Sequence, residues 1–69
     1  MDRLKELRRQ RLLTQRELGE LVGVSFQTVQ SWESRKSQPR LRHIRRLAEV
    51  LEVSPEDLLK EFDDVKEAA

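Results

Sequence analysis

Apolar residues recur along this chain at helical rather than strand spacing. Leu4 and Leu7, with Arg8 on the same stripe, predict a short amphipathic helix over residues 2–11. Leu18, Leu21 and Val22 predict a second helix over residues 15–22, with all three buried. Val29 and Trp32 lie three apart and turn inward on a third helix, about residues 25–34, which frays near Ser34–Ser37. Leu41, Ile44, Leu47, Ala48 and Leu51 follow the i, i+3, i+4 rule on a fourth. Leu58, Leu59 and Phe62 lie on a fifth, and "DDVKEAA" reads as an acidic, frayed tail over residues 63–69. No strand alternation, repeat or low-complexity stretch interrupts the pattern. The expected fold is all-α: one compact five-helix bundle over residues 1–62.

Local signals sharpen the boundaries. Thr14 with Glu17 three residues on makes a capping box for the second helix. Ser25 is a good N-cap for the third helix. Ser54, Pro55, Glu56 and Asp57 form a strong start for the fifth. The chain has only two glycines, Gly19 and Gly23, both inside residues 15–34. Gly23 ends the second helix, where a left-handed residue is wanted. A connection of about three residues forces a steep crossing, so Gly19 has to be small. Leu18, Val22, Val24, Val29 and Trp32 fill the angle. Together these positions spell a helix-turn-helix.

Composition excludes more than it selects. With 69 residues and no cysteine, the chain is a single small domain without a disulfide or thiolate metal site. It contains no apolar run able to cross a bilayer and no secretory h-region at its start, which fits a cytoplasmic protein. The formal net charge is only +1, but it is unevenly spread. Residues 1–46 hold 12 Lys/Arg against 5 Asp/Glu, and residues 47–69 hold 2 against 8. Such asymmetry gives either a basic face with a definite orientation or simply well-solvated helices.

The stretch "LKELRRQRLLTQRELGELVGVSFQTVQSWE", followed by "P" and "IRRLAEVLEVSPEDLL", resembles the phage repressor/Cro-type helix-turn-helix family, also called the XRE family. The resemblance covers about residues 2–60 and implies a five-helix DNA-binding domain, usually part of a dimeric transcriptional regulator. It implies a third helix lying in the major groove of double-stranded DNA, with Phe26, Gln27, Thr28 and Ser31 toward the bases. Glutamine chemistry suits adenine, and Phe26 either meets a thymine methyl or folds back on the second helix. Gln30 is a peripheral candidate. Gln15, Ser34, Lys36 and Arg40 match positions that hold phosphates, with Arg35 nearby. Arg42, Arg45 and Arg46 either join them or decorate a solvated face. Arg8 and Glu33 match a pair of positions that often form an internal ion pair. Trp32 reads as core and His43 as a surface helix residue.

Three places depart from the family. Glycine is common before the second helix and after the third and fourth, where this chain has Leu12, Arg35 and Glu52. Those residues either take a strained left-handed conformation or change the local turn. No catalytic set, phosphate loop, cofactor motif, small-molecule site or metal spacing is present, so an enzyme is not expected. The implied function is a sequence-specific regulator, more a repressor than an activator, binding a near-palindromic operator as a homodimer. The rival is an antitoxin or adaptor whose main contact is another protein. Leu58, Leu59, Phe62 and Val65 supply an apolar patch with three readings, core, homodimer interface or docking site for a different protein; Leu58 and Leu59 are assigned mainly to core, and Phe62 and Val65 are the candidates for a dimer contact.

Overall fold

Each helix in this fold is defined by how its ends are closed. The computed structural model describes residues 3–62; Met1, Asp2 and residues 63–69 lie outside that description, and with them Val65 and the acidic tail. The elements are α1 (Arg3–Gln10), α2 (Gln15–Val22), α3 (Phe26–Glu33), α4 (Leu41–Leu51) and α5 (Pro55–Glu61). No strand occurs among the described residues. The Thr14 hydroxyl accepts the Glu17 N–H at 3.0 Å, and the Glu17 carboxylate accepts the Thr14 N–H at 2.8 Å. That reciprocal pair satisfies two donors that a helix start leaves open. Ser25 and Ser54 accept the N–H groups of Thr28 and Asp57 in the same way.

The helix ends share a second device. Leu12, Gly23, Arg35 and Glu52 follow α1 to α4 with φ of 57°, 92°, 63° and 58°. The next residue then donates back into the helix: Leu13 to Arg8, Val24 to Gly19, Lys36 to Ser31 and Val53 to Ala48, at 2.9 to 3.2 Å. This is the Schellman closure, which glycine makes most cheaply. The three departures from glycine therefore keep the turn and accept the left-handed conformation.

The core lies where all five helices converge. Leu4, Leu18, Val29, Ile44, Leu47, Leu51 and Leu58 are fully or almost fully buried, with Leu7, Trp32, Ala48 and Phe62 closing around them. Two expectations fail here. Leu21 remains 44% exposed. At about 100° per residue, Leu18, Gly19 and Val22 centre the packed face of α2 well away from Leu21. Phe62, expected at a dimer contact, is only 2% exposed. Its ring closes the bottom of the core beneath Arg35, whose guanidinium sits 5.9 Å from the ring centre.

Gly19 sets how closely α2 and α3 approach. A Cβ placed there would stand 2.7 Å from the Val24 carbonyl oxygen and 3.3 Å from Ser25 backbone atoms. Backbone cannot swing aside as a flexible side chain would. Intrinsic propensity alone makes Gly19→Ala stabilising by about 1 kcal/mol. The clash outweighs it, and we expect a net loss of roughly 1–2 kcal/mol in urea denaturation. A gain in stability would mean that the turn has room to spare. Conversely, Leu12→Gly relieves a left-handed leucine that is 90% exposed and packs on little. It should gain about 1 kcal/mol, visible as a melting temperature several degrees higher, whereas Leu12→Ala should change little.

Candidate nucleic-acid interface

With Val29 and Trp32 anchored in the core, the opposite side of α3 is left to solvent. Gln27, Gln30 and Ser34 are exposed, while Phe26, Thr28 and Ser31 are half-buried along its flanks. Gln27 and Gln30 have no side-chain partner among the described residues. The Thr28 hydroxyl pairs with Ser25 at 3.1 Å, which ties it to the cap. The Phe26 ring leans toward α2 beneath the Arg16 guanidinium, 4.8 Å from the ring centre. It remains half-exposed, so its packing on α2 leaves part of the ring facing outward.

One ionic cluster holds this helix at its far end. Arg8 Nε donates to Glu33 Oε2 at 2.7 Å and Nη2 to Oε1 at 3.2 Å. Arg8 Nη1 also donates to the Leu13 carbonyl at 2.8 Å. Gln15 Nε2 adds a bond to Glu33 Oε1 at 3.0 Å. The two charged side chains are only 10% and 5% exposed, so each depends on the other. Through these four bonds α1, the α1–α2 turn, the start of α2 and the end of α3 become one unit.

Beside the cluster runs a shallow groove of about 360 Å³, lined by Lys5, Gln15, Gln30, Glu33, Ser34 and Lys36. Three candidate phosphate ligands, Gln15, Ser34 and Lys36, thus share one surface. The tight corner at Gly19 and the outward polar side of α3 are on hand when the chain is set beside known families. The helix-turn-helix family profile matches residues 4–58. The chain belongs to the XRE-type helix-turn-helix family. In this domain α2 and α3 are the two helices of the motif, and the family is one of DNA-binding rather than enzymatic domains. A related protein is the uncharacterized HTH-type transcriptional regulator y4aM of Sinorhizobium fredii, 31% identical over 62 residues. The match takes in 90% of this chain and 43% of that protein, so the chain spans less than half of its relative's length. No solved structure matches the chain.

Around the helix-turn-helix the other candidate residues separate into two groups. Lys36, Arg40, Arg42 and Arg45 are exposed and carry no ion pair among the described residues. Arg40 stands at the start of α4 and does not line the groove. Arg35 and Arg46 are engaged internally. Arg35 bonds the Glu61 carboxylate and donates to its carbonyl at 2.8 Å, so its charge turns toward α5 and away from the groove. Arg46 donates to the Leu21 carbonyl at 3.0 Å and pairs with Glu49. Gln15 likewise gives one of its two amide hydrogens to Glu33, which leaves the second, with the open N–H groups at the start of α2, as donors. Arg16 was not singled out by the sequence; the only pointer was Phe26, an aromatic at the first turn of α3 with a second helix to fold back on.

His43 is half-buried rather than on the open surface, its ring centre 5.4 Å from that of Trp32. Burial, then the charges of Arg42 and Arg40, lower its pKa below the ordinary histidine value. It is neutral at pH 7 and adds nothing to the basic face there.

The buried pair makes a stability prediction. Arg8→Met strands the Glu33 carboxylate and should cost about 3–5 kcal/mol, most of what a domain this size has. The double change Arg8→Met/Glu33→Leu should recover a large part of that loss in thermal unfolding. Additive losses would show that the pair is not coupled.

Proposed function

We propose that this helix-turn-helix protein is a sequence-specific transcriptional regulator that lays α3 in the major groove of a near-palindromic operator, binds as a homodimer and represses. The observation that carries the reading is the rigidly mounted α3, whose outer glutamines have no internal partner, beside the groove of Gln15, Ser34 and Lys36. Gln27 offers a bidentate donor and acceptor for adenine, and Ser31 offers a short hydroxyl. Phe26 and Thr28 complete the base-facing set, while Gln15, Ser34, Lys36 and Arg40 hold phosphates on either side. The named function of the Sinorhizobium fredii relative agrees with regulation of transcription.

In the proposed homodimer two copies of this 32 × 23 × 22 Å fold set their α3 helices on half-sites about 34 Å apart, one turn of DNA. In this reading repression comes from occupancy, a dimer that spans both half-sites competing with polymerase for the same stretch. Phe62 is excluded from the dimer contact by its burial. The same burial takes Phe62 out of the apolar patch that a protein-binding antitoxin or adaptor reading would use, and Leu58 is buried as its assignment to the core expected.

Selection from a random duplex pool, with the enriched site then titrated against salt, tests the proposal. An inverted repeat and a steep salt dependence are expected. Gln27→Ala should lose about 1–3 kcal/mol on the best site and relax preference at one base pair. Lys36→Ala should weaken selected and random DNA alike and reduce the salt slope by about one. Equal losses from both variants on both kinds of DNA would overturn this division of roles.

A further inference from the structure

We propose that Arg16 and Phe26 form a composite reader of a thymine next to a guanine in each half-site. The inference rests on the major-groove placement of α3 and adds to it a specificity residue from α2. Phe26 is the first residue of α3, the end of the probe helix that meets the base edges. Arg16 lies over its ring at 4.8 Å. Arg16 is exposed and forms no ion pair among the described residues. The carboxylate of Glu17, next to it in the chain, is turned to the Thr14 N–H instead.

The chemistry of the stack leaves both members usable. A guanidinium resting on a ring engages its face, while its N–H donors point outward in the plane. That edge is the fork that fits guanine O6 and N7. The ring offers apolar contact to a thymine methyl, the one base feature that phenylalanine can recognise. Ring and guanidinium are 4.8 Å apart, more than the rise of about 3.4 Å between successive base pairs, so the proposal assigns them to adjacent steps rather than to the same one. Stacking also holds the arginine in place before DNA arrives, so less side-chain freedom is lost on binding. Lysine at this position would keep the charge and lose the fork.

The test uses the full chain on its own enriched duplex. Selection with wild type is expected to yield a thymine–guanine neighbour pair at one position of each half-site. Replacing that guanine by 7-deazaguanine removes only N7 and should weaken wild type about ten-fold. Replacing the thymine by deoxyuridine removes only the methyl and should weaken it a few-fold. Arg16→Ala and Arg16→Lys should both be indifferent to 7-deazaguanine, with Arg16→Lys retaining binding to random DNA. Phe26→Leu keeps an apolar side chain but removes the seat, and should lose part of the guanine preference while remaining folded by circular dichroism. If Arg16→Ala weakens selected and random DNA by one factor and enriches the same sequence, Arg16 is a phosphate contact. The composite reader is then wrong, while the major-groove placement stands. If folded wild type enriches no sequence, both fall together.

Discussion

The approach of α2 to α3 at Gly19 governs where everything useful on this protein points. With only 2.7 Å between a would-be Cβ and the Val24 carbonyl, that corner has a single tight geometry. It fixes the crossing of the two helices, and the crossing decides which residues of α3 are inside. Val29 and Trp32 go in; Gln27 and Gln30 are left out. A corner restrains only one end of a helix, however. The other end is held by Glu33, which receives three hydrogen bonds from Arg8 and Gln15. A short, rigid helix pinned at both ends by unlike means, steric at one and ionic at the other, suits a surface that must keep several polar groups in register.

The charges follow a related economy. The C-terminal acids do not merely balance the net charge. Glu49, Glu52 and Glu61 each pair with an arginine, Arg46, Arg11 and Arg35 respectively. The pairs of Glu49 and Glu52 are largely exposed and add little stability one by one, while the Glu61 side chain is mostly buried beneath Arg35. Their larger effect is to sort the cations. Three arginines are turned to the acidic side or to backbone carbonyls, while Arg16, Lys36, Arg40, Arg42 and Arg45 are left without a carboxylate among the described residues. A chain of formal charge +1 thereby keeps unneutralised cations on its surface, Lys36 of the groove and Arg16 of α2 among them.

Much of this was legible in the chain because it depends on local rules. The capping box at Thr14, the N-cap at Ser54 and the glycine at position 23 act within a few residues of themselves, and the helices start and stop where they say. The left-handed residues after α1, α3 and α4 were legible only as a choice between strain and a changed turn. Which outcome holds depends on whether the Schellman bonds outweigh the strain, and that balance involves the whole corner. Leu21 and Phe62 misled for a different reason. Periodicity gives the apolar stripe but not its centre, and on α2 the centre is set by a glycine that carries no hydrophobic signal. Phe62 sits at the last turn, where a sequence cannot tell a core residue from an exposed one. Arg35 and Arg16, both simply basic in the sequence, were assigned partners only by contacts 26 residues away and across the α2–α3 corner.

The three left-handed residues that are not glycine bear on how the domain can vary. Each carries a side chain where glycine would be less strained, and at two of them that side chain reaches a partner: Glu52 meets Arg11, and Arg35 meets Glu61 and the Phe62 ring. Arg35 is the informative case. Its backbone closes α3, directly beside Ser34 and Lys36 of the groove, while its side chain closes the core over Phe62. Glycine would relax the turn but uncover the aromatic ring and release Glu61. Strain at that residue is therefore coupled to the end of α5, and through Lys36, the next residue along, to the edge of the candidate interface. At Leu12 no such partner offsets the conformation, which is why relief of strain there should register as a clear gain in stability.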